Sequence, residues 1–149
     1  IEYDLCFDAL IKSIHLPHLL HFLKRNPALR CVINHGAKPN IASGEWNSWK
    51  TGIAEIAQQT DAFCKISGMI TEASTEQDYS VLAPYIDYLV EQFGPERLIW
   101  GSDWPVLNLA AEYLSWYEAA QGLLSNLSLQ EKALVFGLNA QTAYRLDLF

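Results

Sequence analysis

Residues 29–46 read LRCVINHGAKPNIASGEW, and the fold class turns on this stretch. Leu29 to His35 is short, apolar and β-branched, the composition of a strand buried on both faces. Gly36, Pro39 and Gly44 then mark a loop, and Trp49, Ile53 and Ile56 take up helical spacing as far as Gln59. A buried strand, a loop and an amphipathic helix make one βα unit. The glycine pattern that cradles a dinucleotide phosphate does not follow the strand.

The same unit recurs on both sides. Upstream, Leu5 to Ile11 (LCFDALI) reads as a strand buried on both faces. HLPHLLHFLKRNP then supplies Leu16, Leu19, Leu20 and Leu23 at helical spacing, stopped by Asn26-Pro27. Downstream, Ala62 to Ser67 (AFCKIS) is a third strand. A polar loop from Gly68 to Asp78 leads into the helical stretch YSVLAPYIDYLVEQFG, with Pro84 in its first turns, where proline is tolerated. Arg97 to Trp100 (RLIW) is a fourth strand, GSDWP a turn, and Ala110 to Leu124 a helix with Tyr113, Trp116, Tyr117 and Ala120 on one face. A last helical region opens at Ser128, with Glu131 placed as in a capping box.

Strands alternating with helices predict an α/β fold with a parallel sheet. Because the phosphate-binding glycines are missing after every strand, a (β/α)8 TIM barrel is preferred to a doubly wound sheet. Such a barrel needs eight strands and typically ~250 residues. Residues 1–149 therefore read as a single partial domain, a half-barrel with two free sheet edges. Its inward face is expected to expose apolar surface on the order of several hundred Å². The other half is expected from an upstream segment, a second chain or a symmetric copy, and Ile1 in place of Met favours a preceding segment.

Composition narrows the function. Half of the chain is apolar and 18% is charged, as in a globular core, and the net charge of −7 comes with no basic stripe, which argues against nucleic acid as a partner. No stretch approaches the ~20 apolar residues of a membrane span, and no leader pattern opens the chain. Cys6, Cys31 and Cys64 sit singly in apolar runs and read as free thiols of a reducing compartment. The expectation is a soluble, cytoplasmic protein.

In barrels of this kind the reactive groups lie where strands end, which singles out His35, Lys65 to Ser67, and Asp103. His35 reads as a metal ligand or oxyanion donor, or as a loop histidine satisfied by hydrogen bonds. Asp103, between Trp100 and Trp104, reads as a carboxylate of raised basicity in a partly desolvated pocket, or as an Asx-turn. Lys65 points either into the barrel or outward between helices. Lys38 faces the mouth or solvent. His15, His18 and His21 share one side of the first helix and read as solvated rather than metal-binding. Tyr85, Tyr88, Tyr113, Trp116 and Tyr117 read as helix-to-sheet packing.

The segments FDALIKSIHLPHL, VINHGAKPNI, CKISGMITEA, FGPERLIWGSDWPV and VFGLNAQTAYRLDL resemble the amidohydrolase 2 family, in particular its sugar-lactone and dicarboxylate-lactone hydrolases. The resemblance implies that this chain supplies strands five to eight of a (β/α)8 barrel. It also implies hydrolysis of a cyclic ester, with Asp103 and His35 as catalytic residues and as metal ligands. Lys38, Lys65 and Trp104 are the implied substrate-binding residues for the sugar-acid or carboxylate portion. The family's His-X-His pair of strand one is absent here, and strand five offers no histidine. The implied cofactor is therefore one divalent metal, zinc first, or none, and the fragment alone is expected to be inactive. Two alternatives stand beside this: non-oxidative decarboxylation by the same aspartate, or a non-catalytic half-barrel that self-associates.

Overall fold

The computed structural model describes residues 3–73 and 78–146. The loop read from Gly68 to Asp78 is thus described only to residue 73 and at 78, and the last two residues of the closing motif lie outside the described residues. Strands β1 (Phe7–Ala9), β2 (Cys31–Ile33), β3 (Phe63–Ile66) and β4 (Leu98–Trp100) alternate with helices α1 (Leu16–Arg25), α2 (Asn47–Gln59), α3 (Ala83–Phe93) and α4 (Tyr113–Leu123). Two short helices, α5 (Leu129–Ala133) and α6 (Asn139–Tyr144), close the chain around a π turn at Leu134–Leu138. The strands pair in parallel in the order β1-β2-β3-β4. A strand order that never reverses has no switch point, which separates it from the doubly wound class.

The local signals account for the elements. Leu16, Leu19 and Leu23 bury one side of α1, Pro17 sits in its first turn, and Asn26 ends it. α2 buries Trp49, Ile53 and Ile56. Gly52 lets α1 approach α2: a Cβ on it would lie 2.8 Å from two carbons of Leu16. The capping box forms, the Ser128 N–H donating to Glu131 Oε2 at 2.7 Å and the Glu131 N–H to Ser128 Oγ at 3.3 Å. Tyr85 and Tyr88 pack with Trp46 and Trp49 between α2 and α3, as expected of core aromatics. No helix among the described residues is long and apolar enough to cross a membrane.

Three expectations change. β1 is not buried on both faces: Phe7 and Asp8 are exposed and only Ala9 is enclosed. On α4, Trp116 and Ala120 are buried, while Tyr113 and Tyr117 stay exposed. The inward sheet face is not bare either. Its Val32 and Ile99 are 0% and 3% exposed and cluster with Ala143, with Phe63, Cys6, Ala140 and Tyr144 packed around them. α6 supplies this cover, pinned by the buried Asn139, whose Nδ2 donates to the carbonyls of Pro95 (2.7 Å) and Leu98 (2.8 Å). The Arg30 guanidinium adds a bond to the Ala143 carbonyl. The exposed large apolar side chains gather instead beside β1 (Leu5, Phe7, Leu10, Phe22) and in and before α4 (Val106, Leu109, Tyr113, Leu114).

Candidate active site

After β2 the backbone enters the left-handed region for four residues in succession: His35, Gly36, Ala37 and Lys38 have φ of 56°, 55°, 60° and 48°. This conformation costs an L-residue roughly 1–2 kcal/mol and persists only where the surroundings enforce it, commonly at functional sites. Here the Lys38 N–H donates to the His35 carbonyl at 2.8 Å. From α2 the fully buried Trp49 indole donates to the Gly36 carbonyl at 2.6 Å. The loop after β4 is held in a parallel manner. Asp103 has φ 59°, its carbonyl accepts from the Leu107 N–H at 2.9 Å, and the buried Trp116 of α4 donates to the Gly101 carbonyl at 3.0 Å. Each site loop is thus tethered by a tryptophan from the helix that follows it.

The two loops bring His35 and Asp103 together. His35 Nε2 lies 3.5 Å from Asp103 Oδ1, with the side chains 15% and 17% exposed. On the other side of the ring, Nδ1 is hydrogen-bonded to the hydroxyl of Ser67, buried just after β3, at 2.8 Å. Gly68 lies against both groups. With φ +58° and a hypothetical Cβ only 2.6 Å from His35 Nδ1 and 2.8 Å from Asp103 Oδ2, this position accepts no side chain. Burial holds His35 below the usual histidine value; the Asp103 carboxylate pulls it upward, while Lys38 and Lys65 push it down. The imidazole is consequently neutral at neutral pH, with one nitrogen to donate and one to accept.

The pair also suits a divalent metal. Two ligands at ~2.0–2.1 Å from a tetrahedral ion lie about 3.3 Å apart, close to the observed separation of 3.5 Å. His35 and Asp103 therefore fit two corners of such a site. No group of three or more His, Cys, Asp and Glu that could hold a metal occurs among the described residues, so the remaining corners need other donors.

The other named residues fall as follows. Lys65 points to the inward face, where its Nζ is 3.0 Å from Asp8 Oδ1 and lies over the Tyr144 ring; the Tyr144 hydroxyl donates to the same Asp8 oxygen at 2.7 Å. Lys38 Nζ is 2.6 Å from Glu72 Oε1. The tryptophans beside Asp103 do not enclose it: Trp104 is 66% exposed and Trp100 stacks on Phe136, so the burial of the carboxylate comes from the neighbouring loops. His15, His18 and His21 are exposed on α1 and its preceding turn. Sequence reasoning missed Gly68, Glu72, Asp8 and the tethering role of Trp49 and Trp116. The Ser67-Gly68 dipeptide at a strand end was the available signal for Gly68.

The Amidohydrolase family model matches residues 1–146. An L-fucono-1,5-lactonase of Burkholderia ambifaria is 43% identical over 153 residues, covering 99% of this chain and 52% of that protein. An L-fucono-1,5-lactonase of Burkholderia multivorans is 31% identical over 160 residues, covering 96% and 52%. The solved structure of an amidohydrolase from Burkholderia multivorans with bound Zn superposes with a TM-score of 0.93 at 31% identity, over 98% of this chain and 54% of that one. The chain spans about half the length of the curated relatives it matches. The parallel sheet with its strand-end site is consistent with part of an amidohydrolase barrel, and the chain belongs to the amidohydrolase family.

Proposed function

We propose that this chain supplies strands five to eight of a (β/α)8 hydrolase that opens a sugar-acid lactone, with Asp103 as general base. The observation that carries the reading is the approach of Asp103 to a neutral, partly buried His35 across Gly68, from the ends of β4 and β2 on either side of β3. Its relatives named as lactonases support the substrate class. The exposed apolar side chains beside β1 and around α4 support a complementary barrel half as the partner.

In this mechanism Asp103 takes a proton from water as the water oxygen bonds to the lactone carbonyl carbon. The ring C–O bond then breaks, and Asp103 returns the proton to the departing alkoxide. His35 in its Nε2–H form donates to the developing oxyanion; in the other tautomer its Nε2 lone pair is free for a metal. A divalent metal, zinc first, would be held from this half by His35 and Asp103 and would supply Lewis-acid polarisation of the carbonyl. Lys38, Lys65 and Trp104 bind the substrate's polar periphery.

The test is lactone hydrolysis by the full gene product, followed by proton release and product analysis. Asp103→Asn is expected to lower kcat by a factor of roughly 10²–10⁴ with an unchanged circular dichroism spectrum. Retained turnover removes Asp103 from the mechanism, and carbon dioxide in place of a ring-opened acid replaces hydrolysis with decarboxylation.

A further inference from the structure

Two cations bear on His35, and both are already matched: Lys38 by Glu72 at 2.6 Å and Lys65 by Asp8 at 3.0 Å. Glu72 ends the short turn Ile70–Glu72 after β3, and Lys38 ends the left-handed turn after β2. Their ion pair therefore bridges the loops that carry Gly68 and His35. The side chains are 29% and 21% exposed, so solvent and salt screen the pair less than an open surface pair. Asp103 faces the imidazole of His35, and both matched ammonium groups keep hydrogen-bond donors for hydroxyls without surplus charge.

We infer that Glu72 is a specificity residue: by matching Lys38 it sets the site for lactones bearing uncharged hydroxyl or alkyl groups and against lactones bearing a carboxylate. The inference rests on the lactone-hydrolase reading. A paired ammonium still donates hydrogen bonds to hydroxyls, but it carries no surplus charge for an anion.

The test compares the γ-lactones of galactonate and galactarate, which differ by a hydroxymethyl against a carboxylate. Both kcat/KM and Kd are measured on the full gene product, on Glu72→Gln and on Glu72→Gln combined with Lys38→Gln. The wild type is expected to prefer the uncharged lactone. Glu72→Gln should shift the ratio toward the carboxylated one by about tenfold, the scale of one partly screened charge contact, and the double variant should return it. An unchanged ratio in folded Glu72→Gln overturns the inference, as does a shift that survives loss of Lys38. If the wild type turns over neither lactone, the hydrolase reading falls and the Kd ratios alone decide the role of Glu72, absence of binding by the carboxylated lactone to Glu72→Gln counting against it.

Discussion

Burial pushes the Cys31 thiol up to about 12 and raises Cys64 as well, while an unperturbed thiol ionises near 9.0. The folded values lie above the unfolded ones, so the stability these thiols contribute is whole below about pH 9 and is lost as pH rises toward 12. Denaturant melts from neutral to strongly alkaline pH should show a plateau and then a decline, shallower in Cys31→Ala; a decline of equal slope in the variant would assign it to other groups. At this scale the site was half legible. His35 and Asp103 announced themselves because each is a polar residue ending an apolar strand. Glu72 and Asp8 did not, because an ion pair across two loops leaves no mark in either loop alone. Trp49 and Trp116 were legible as apolar bulk, but their N–H groups find partners only once the helices dock.

The α1–α2 contact shows how packing overrules propensity at the scale of elements. In an exposed helix, Gly→Ala gains roughly 1 kcal/mol. At Gly52 the added methyl meets Leu16 at 2.8 Å, so Gly52→Ala is expected to destabilise by about 1–3 kcal/mol, read from the urea midpoint; a raised midpoint would show that α1 can yield. Helix positions followed from leucine spacing, proline and caps, all local signals. What failed was facing: LCFDALI looked doubly buried because apolar content does not say whether another element covers each face, and Phe7 and Asp8 stay exposed. Tyr113 and Tyr117 share a helical face with Trp116, yet they meet only the rim formed by Trp100 and Phe136.

For the molecule as a whole, exposed apolar side chains collect at the two sides where the sheet ends. Chain 1–149 on its own is expected to self-associate, with sedimentation velocity showing species larger than 16.8 kDa that shrink as concentration falls. A monodisperse monomer at high concentration would show that the edges are tolerated bare. The parallel sheet in sequential strand order was legible because strand and helix alternate without phosphate-binding glycines. The covered inward face was not, because nothing in the spacing of NAQTAY says that its helix turns back across the sheet. That return carries a consequence of its own. α6 is fastened to the carbonyls of Pro95 and Leu98 and to Arg30, where β4 and β2 begin, while His35 and Asp103 stand where those strands finish. Under the proposed hydrolase reading, product would leave from the same side of the sheet as substrate enters, and added ring-opened acid is expected to inhibit competitively.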